Sequence, residues 1–253
     1  MIKVVIIGSG NVAQHLIKAF TKSNKIDVTQ VFSRQKEAIT SLLDFNKITN
    51  DFNDLAEADL YVIAVSDDAI AKVSSQLPFE SRLVVHTSGS VSLEALDKKN
   101  RKGSFYPLQT FSKKAEVDFS QIPIFLESEN EADFELLEKV AQSISKKNYK
   151  INSEQRRALH VAAVFVNNFV NHLYQIGNEI CIANKVPFEV LKPLILETAN
   201  KVMTLSPKDA QTGPAIRNDE QTIASHLDVL LDENQKNIYN TVTQSIQNNG
   251  KKL

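Results

Sequence analysis

Apolar and polar positions follow two different textures along the chain. Up to about residue 152, short β-rich apolar runs alternate with amphipathic stretches. Strands are predicted at Lys3–Ile7, Val28–Phe32, Leu60–Val65, Leu83–Thr87, Gly103–Tyr106 and Pro123–Glu127, with a short closing strand near Tyr149–Ile151. Helices are predicted around Val12–Lys22, Lys36–Asp44, Asp68–Gln76 and Ser92–Lys98. Another covers residues 130–146, where Phe134, Leu137, Val140, Ala141 and Ile144 recur at helical spacing. Apolar strands separated by helices imply a parallel sheet covered on both faces. From Ser153 almost everything reads as helix: Ser153 to about Asn184, Phe188 to about Leu205, Glu220–Leu231 and Glu233–Asn248, with a frayed tail. The pattern predicts an α/β fold: a Rossmann doubly wound, mostly parallel sheet over residues 1–152, then an all-α domain over 153–253.

The first strand leads into Gly8-Ser9-Gly10-Asn11-Val12-Ala13, a Gly-x-Gly-x-x-Ala pattern. Gly8 permits the tight turn out of the strand. Gly10 lets the backbone approach a diphosphate, and Ala13 is small enough for close helix–sheet packing. The helix that follows directs free N–H groups and the positive end of its dipole at phosphate. An empty Rossmann-like fold is the competing reading. The second strand ends Val31-Phe32-Ser33-Arg34, without the acid that binds ribose hydroxyls in NAD sites. Ser33 can donate to a 2′-phosphate, and Arg34 can pair with it or stack on adenine, which favours NADP over NAD. Alternatively, Arg34 is a solvated residue starting a helix. Val65, Ser66 and Asp67 end another strand at the carboxyl edge and are expected along the cofactor; Asp67 can equally cap the next helix.

Two further strand ends carry polar clusters, Val85-His86-Thr87-Ser88-Gly89-Ser90 and Phe105-Tyr106-Pro107-Leu108-Gln109-Thr110. His86 reads as a proton donor or substrate ligand, or as a satisfied core histidine. Ser88 and Gly89 can present hydroxyl and N–H groups near a nicotinamide and its substrate; Gly89 is otherwise a turn residue. On the long helix, Ser153, Arg156, His160, Asn167, Asn171 and Tyr174 fall near one line among apolar neighbours. Such a line needs partners: a substrate, a structural polar network or a dimer seam. His160 is the first candidate general acid, because imidazole exchanges protons near neutral pH. Asn167 joins His160 and His86 in the candidate catalytic set, and Asn171 is a candidate substrate ligand. In the loop Thr212–Asp219, Arg217 can meet a substrate carboxylate, or the loop is a turn whose Asp219 caps the following helix.

Composition narrows the classes. The chain has 253 residues, 42% hydrophobic and 23% charged, with net charge −1. No positive field favours nucleic acid or an anionic membrane. Cys181 is the lone cysteine. It allows no internal disulfide or cysteine-based zinc site, and its apolar surroundings suggest a buried small hydrophobe. A reducing cytoplasm fits, and no metal site is expected. The opening MIKVVIIGSG reads as a strand rather than a leader. The most apolar run, Ala158 to Val170, is too short and too polar for a membrane span and is expected as a buried helix.

In order, GSGNVAQHL, AVSDD, HTSGS, FYPLQTF, a histidine-bearing apolar helix and TGPAIRND resemble Rossmann-like proteins with a C-terminal domain of unknown function. These belong to the 6-phosphogluconate dehydrogenase-like group, which includes pyrroline-5-carboxylate reductase and the NADP oxidoreductases related to deazaflavin-dependent enzymes. The resemblance implies a cofactor at Gly8–Ala13, a helical C-terminal domain and often a dimer through those helices. The Lys and Asn four residues apart of β-hydroxyacid dehydrogenases have no counterpart. His160 is followed at that spacing by Val164, and no lysine lies between Ser153 and Ala183. The expected activity is an NADP(H)-dependent oxidoreductase, NAD also being possible, acting on a small carbonyl or imine in an interdomain cleft. The alternative is a regulatory or scaffold protein that binds NADP(H) without turnover.

Overall fold

The computed structural model describes residues 1–112 and 116–250. Of the tail expected to fray, residues 248–250 continue the last helix, and the rest, from 251, lies outside the described residues. By its internal contacts the chain divides into two compact units, Met1–Phe165 and Val166–Leu253. The change of texture seen at Ser153 therefore precedes the division between units by about a dozen residues.

The first unit is built on an eight-stranded sheet of order β3-β2-β1-β4-β5-β6-β7-β8. The strands are β1 (Ile2–Ile7), β2 (Ile26–Phe32), β3 (Ile48–Thr49), β4 (Leu60–Ile63), β5 (Leu83–His86), β6 (Arg101–Pro107), β7 (Ile124–Ser128) and β8 (Asn148–Lys150). All neighbours are parallel except β6 and β7. The order reverses between β1 and β4, which opens a crevice beyond the carboxyl ends of those strands. The helices of this unit are α1 (Asn11–Lys22), α2 (Ile70–Ser75), α3 (Glu131–Gln142) and α4 (Ser153–Ala163).

The strands are apolar on both sides because both faces are covered. Val4, Ile6, Val62, Val85, Phe105 and Leu126 share one core cluster with Leu16, Phe20, Leu137 and Val140 of α1 and α3. Val5, Ile7, Tyr61, Ile63 and Val84 form the second cluster with Ile70 of α2. Two expected helices shrink to single 3₁₀ turns, Lys36–Ile39 and Leu93–Ala95. Local side-chain bonds compete with further helix there: Thr40 Oγ1 donates to the Glu37 carbonyl at 3.2 Å, and Asp97 Oδ1 accepts from the Lys99 N–H at 3.0 Å. Strand β3 spans only two residues, too few to show a period in the sequence.

Helix α4 opens with a capping box between Asn152 and Gln155. It runs into a π-helical segment, Val164–Phe169, and then α5 (Val170–Ala183). The second unit continues with α6 (Lys192–Thr204), α7 (Glu220–Val229) and α8 (Glu233–Gly250). Asp219 caps α7 by accepting from the Thr222 N–H at 3.1 Å and hydroxyl at 2.8 Å. Cys181 is buried as expected. The apolar run Ala158–Val170 is not a buried helix: Val161 is 52% exposed and Val166 75%. Its neighbours in the chain do not cover that face, which periodicity alone cannot reveal. Among the described residues, no helix is long and apolar enough to cross a membrane.

Candidate functional site

The crevice at the sheet reversal is a cavity of about 1060 Å³. Its lining runs from Ile7 through Val12, across Phe32–Gln35 at the end of β2, to Ala64–Ser66 at the end of β4. The far wall is Phe52 with Ala69, Lys72, Val73 and Gln76. Of the cofactor residues expected from sequence, Gly8, Ser9, Gly10, Asn11, Val12, Ser33, Arg34, Val65 and Ser66 line this one cavity. Ala13 instead lies fully buried in the core, where a larger side chain would separate α1 from the sheet. Asp67 and Ser88 are not among the lining residues, and Asp67 sits in the first turn after Ser66 rather than capping it.

The two motif glycines do different work. At Gly8 the backbone has φ +134°, and an added Cβ would lie 2.2 Å from the Ala64 carbonyl oxygen. That position belongs to the fold. At Gly10, the residue before α1, a Cβ would meet nothing within 4 Å. No neighbour in the chain needs that space, so its emptiness serves whatever enters the cavity. The first turn of α1 carries no acidic side chain. Its free N–H groups therefore face the cavity without a competing charge, as a diphosphate requires. The residues present fit a dinucleotide.

At the end of β2, Phe32 and Phe52 stack with ring centres 4.0 Å apart and planes 6° from parallel. Ser33 lines the cavity, but its hydroxyl proton is already engaged. Its hydroxyl donates to the Gln35 carbonyl at 2.7 Å. The loop after β2 uses that proton for its own turn. Arg34 is exposed at the cavity's edge.

A second polar cluster lies at the ends of β5 and β6, within the same unit. The Tyr106 hydroxyl and His160 Nδ1 are 2.9 Å apart. Gly89 makes this possible: a Cβ there would sit 2.5 Å from His160 Nδ1 and 2.8 Å from the Tyr106 ring. Burial raises the Tyr106 hydroxyl above the usual tyrosine range. Arg156, fully buried one turn before His160, donates to the Ser88 and Val91 carbonyls at 2.9 and 2.7 Å and to Glu127 Oε2 at 2.9 Å. Ser153 donates to the same carboxylate at 2.8 Å. For Ser153 and Arg156, the polar line on the helix is thus a structural network that pins the 88–91 loop against α4 and β7. Ser88 Oγ accepts from the N–H groups of Ser90 and Val91, both at 3.0 Å, and so belongs to that loop's turn.

His86 is fully buried, and its Nδ1 accepts from the Ser88 N–H at 3.2 Å. The proton of the neutral ring therefore sits on Nε2, which finds no partner among the described residues. Ser104, its register neighbour on β6, also has a buried hydroxyl without a partner among them. Burial, then the nearby Arg156 charge, lowers His86 to about 3. It stays neutral at physiological pH, which suits a core histidine rather than a proton donor. In the second unit, Asn167, Asn171 and Arg217 are all exposed. Sequence reasoning marked the strand-end cluster around Tyr106 without giving Tyr106 a role, and missed Lys72, Val73, Gln76 and Glu127. Of these four, the first three carried a signal, their helical spacing from Ala69.

The topology, the glycine-lined crevice and the basic edge define a dinucleotide-binding oxidoreductase fold. Residues 3–89 match the family described as NADP oxidoreductase, coenzyme F420-dependent, and residues 122–246 match a domain of unknown function, DUF2520. A Bacteroides fragilis protein, provisionally described as an NADP oxidoreductase, is 39% identical over 98% of each chain, with a TM-score of 0.88. The Thermotoga maritima protein TM1727 is 22% identical over 98% of this chain and 99% of its own, with a TM-score of 0.78. An imine reductase from Myxococcus stipitatus, solved in complex with NADP⁺, shares the fold at 18% identity, covering 99% of this chain and 93% of that one, with a TM-score of 0.65. No curated protein matches the chain. The chain belongs to the NADP oxidoreductase family that joins these two modules, and NADP is that family's coenzyme.

Proposed function

We propose that the chain catalyses an NADP(H)-dependent reduction of a small imine or carbonyl compound, or its reverse. The observation that carries this reading is the cavity whose floor is Gly8–Val12 and whose space over Gly10 is required by nothing in the fold. When bound, the coenzyme supplies or accepts the hydride. The chain's part is to hold the diphosphate on the N–H groups of α1, to pair Arg34 with the 2′-phosphate, and to manage a proton. Imidazole is suited to that exchange near neutral pH. In this reading His160 donates the proton from Nε2 while the Tyr106 hydroxyl holds Nδ1, and the ring keeps its orientation in either protonation state. His86 has the neutral, structural role. Gly89 shapes the space beside the pair, and Asn167, Asn171 and Arg217 stay candidates for orienting substrate. A homodimer is part of the proposal: a second copy covers the exposed apolar side chains of the helical unit, Val166, Leu194 and Met203 among them.

The test begins with NADPH fluorescence on the purified chain, followed by NADPH oxidation with a panel of cyclic imines, aldehydes and keto acids. We expect binding, turnover of at least one panel member, and a loss of about 100-fold or more in kcat for His160→Ala with NADPH affinity kept. Binding with no turnover of any panel member supports coenzyme binding for regulation instead.

A further inference from the structure

We propose that Lys72 is a specificity-determining residue: together with Arg34 it forms a two-cation clamp that selects a 2′-phosphorylated adenosine over its unphosphorylated counterpart. The proposal rests on the dinucleotide reading of the cavity and adds a residue that no motif names.

Four residues of the segment after β4, Ala69, Lys72, Val73 and Gln76, line the cavity. Their spacing of three, one and three places them on a single helical stripe, and that stripe borders the cavity while staying open to solvent. Lys72 is therefore on the cavity side of its helix. Its ammonium group has no hydrogen-bond or ion-pair partner among the described residues, and neither has the Arg34 guanidinium. Lys36, the next cation along, stands apart: its ammonium lies 5.5 Å above the Phe45 ring and lines none of this cavity.

The lining holds two cations and no carboxylate. A ribose with free hydroxyls is held by an acid at the end of the second strand, and none is present. A 2′-phosphate brings close to two negative charges at neutral pH. Two unpartnered cations lining one cavity, Arg34 from the loop after β2 and Lys72 from α2, match that charge. The roles differ by chemistry. Arg34 offers a planar fork that can pair with phosphate oxygens and cover the adenine face. Lys72 offers a compact point charge on a flexible stem. Val73 and Phe52, which line the same cavity, offer apolar surface of the kind an adenine needs.

The experiment measures dissociation constants for NADPH and NADH by nicotinamide fluorescence, on the wild type, Lys72→Gln and Arg34→Gln. Competition by adenosine 2′,5′-bisphosphate and by 5′-ADP repeats the comparison without a nicotinamide. Lys72 is exposed and unpaired, so circular dichroism and Tm should be unchanged in Lys72→Gln. We expect that substitution to weaken NADPH and the bisphosphate by about 10-fold or more while NADH and 5′-ADP change less than about 2-fold. Equal weakening of all four ligands would make Lys72 a general phosphate contact and overturn the clamp. Unchanged affinity for all four would overturn it as well. A wild type that binds neither dinucleotide would remove the dinucleotide reading itself, an outcome separate from either failure in the variant.

Discussion

The sheet unit and the helical unit place their apolar residues in opposite ways. In the first, Val4, Ile6, Leu16, Phe20, Val62 and Phe105 are wholly inaccessible. In the second, the buried hydrophobic residues among those described are Cys181, Ala215 and Leu230, each close to one-tenth exposed, while Leu194 and Met203 stand 62% and 83% in solvent. The mostly parallel sheet closes on itself because its central strands are covered on both faces by helices of the same unit. A set of helices has no such closure: each buries one stripe, and a second stripe waits for another surface. The sheet unit thus buries its apolar residues within itself, while the helical unit leaves much of its apolar surface in solvent, the surface the proposed dimer would cover.

The largest effect should come from glycine. Gly8→Ala meets the Ala64 carbonyl at 2.2 Å and a forbidden φ, and we expect it to prevent folding or to cost about 4 kcal/mol or more. Gly213 in the helical unit also has positive φ, but a Cβ there meets nothing. Gly213→Ala should cost only about 1–2 kcal/mol. Urea unfolding of both variants checks the pair, and a similar loss in the two would break the contrast. Gly10→Ala should leave the urea midpoint unchanged while lowering NADPH affinity.

Core truncation is the next effect in size. Phe105→Ala should cost about 3–5 kcal/mol, whereas Leu194→Ala in dilute, monomeric protein should stay within about 0.5 kcal/mol. A larger cost for Leu194→Ala that does not depend on protein concentration would show that helical surface to be packed within one chain.

Acid should weaken the sheet unit through His86. Its folded-state value, about 3, lies below the ordinary 6.5, so the unfolded chain takes up the proton first. The stability contributed by the neutral ring is complete above pH 6.5 and is lost as pH falls towards 3. At pH 4.5 the loss should be about 2–3 kcal/mol. Chemical denaturation from pH 7 to 4 on the wild type and His86→Asn checks this. Equal acid sensitivity in the two proteins would assign the effect to other groups.

The smallest effect on the folded chain, and the one that speaks most directly to association, concerns solvent-facing residues. Val166→Glu with Leu194→Glu should change chain stability by less than about 0.5 kcal/mol. It should halve the mass measured by light scattering if a second copy covers that surface. An unchanged mass would place any dimer contact elsewhere.

Much of the first unit is legible in the sequence because its signals are local. A β-branched run, a turn glycine and an amphipathic helix each act within a few residues, so neighbouring residues alone are enough to place β1, α1 and the coenzyme loop. The π segment, the 3₁₀ turns and the antiparallel β7 depend on competing hydrogen bonds or on partners far along the chain. Likewise, Arg34 announces itself at a strand end, while Lys72 looks like any surface lysine on a short helix.

By itself, the order of residues determined the Rossmann alternation, the glycine loop, the missing ribose acid and the helical character after Ser153, because backbone sterics and hydrophobic period are written residue by residue. Only the tertiary structure decided that Gly8 belongs to the fold and Gly10 to the cavity. It also decided that Ser33 binds its own loop, that Arg156 is wholly buried, and that His160 meets Tyr106 under Gly89. Those outcomes depend on which atoms arrive within a few ångströms across long separations in the chain, and no local pattern encodes such distances.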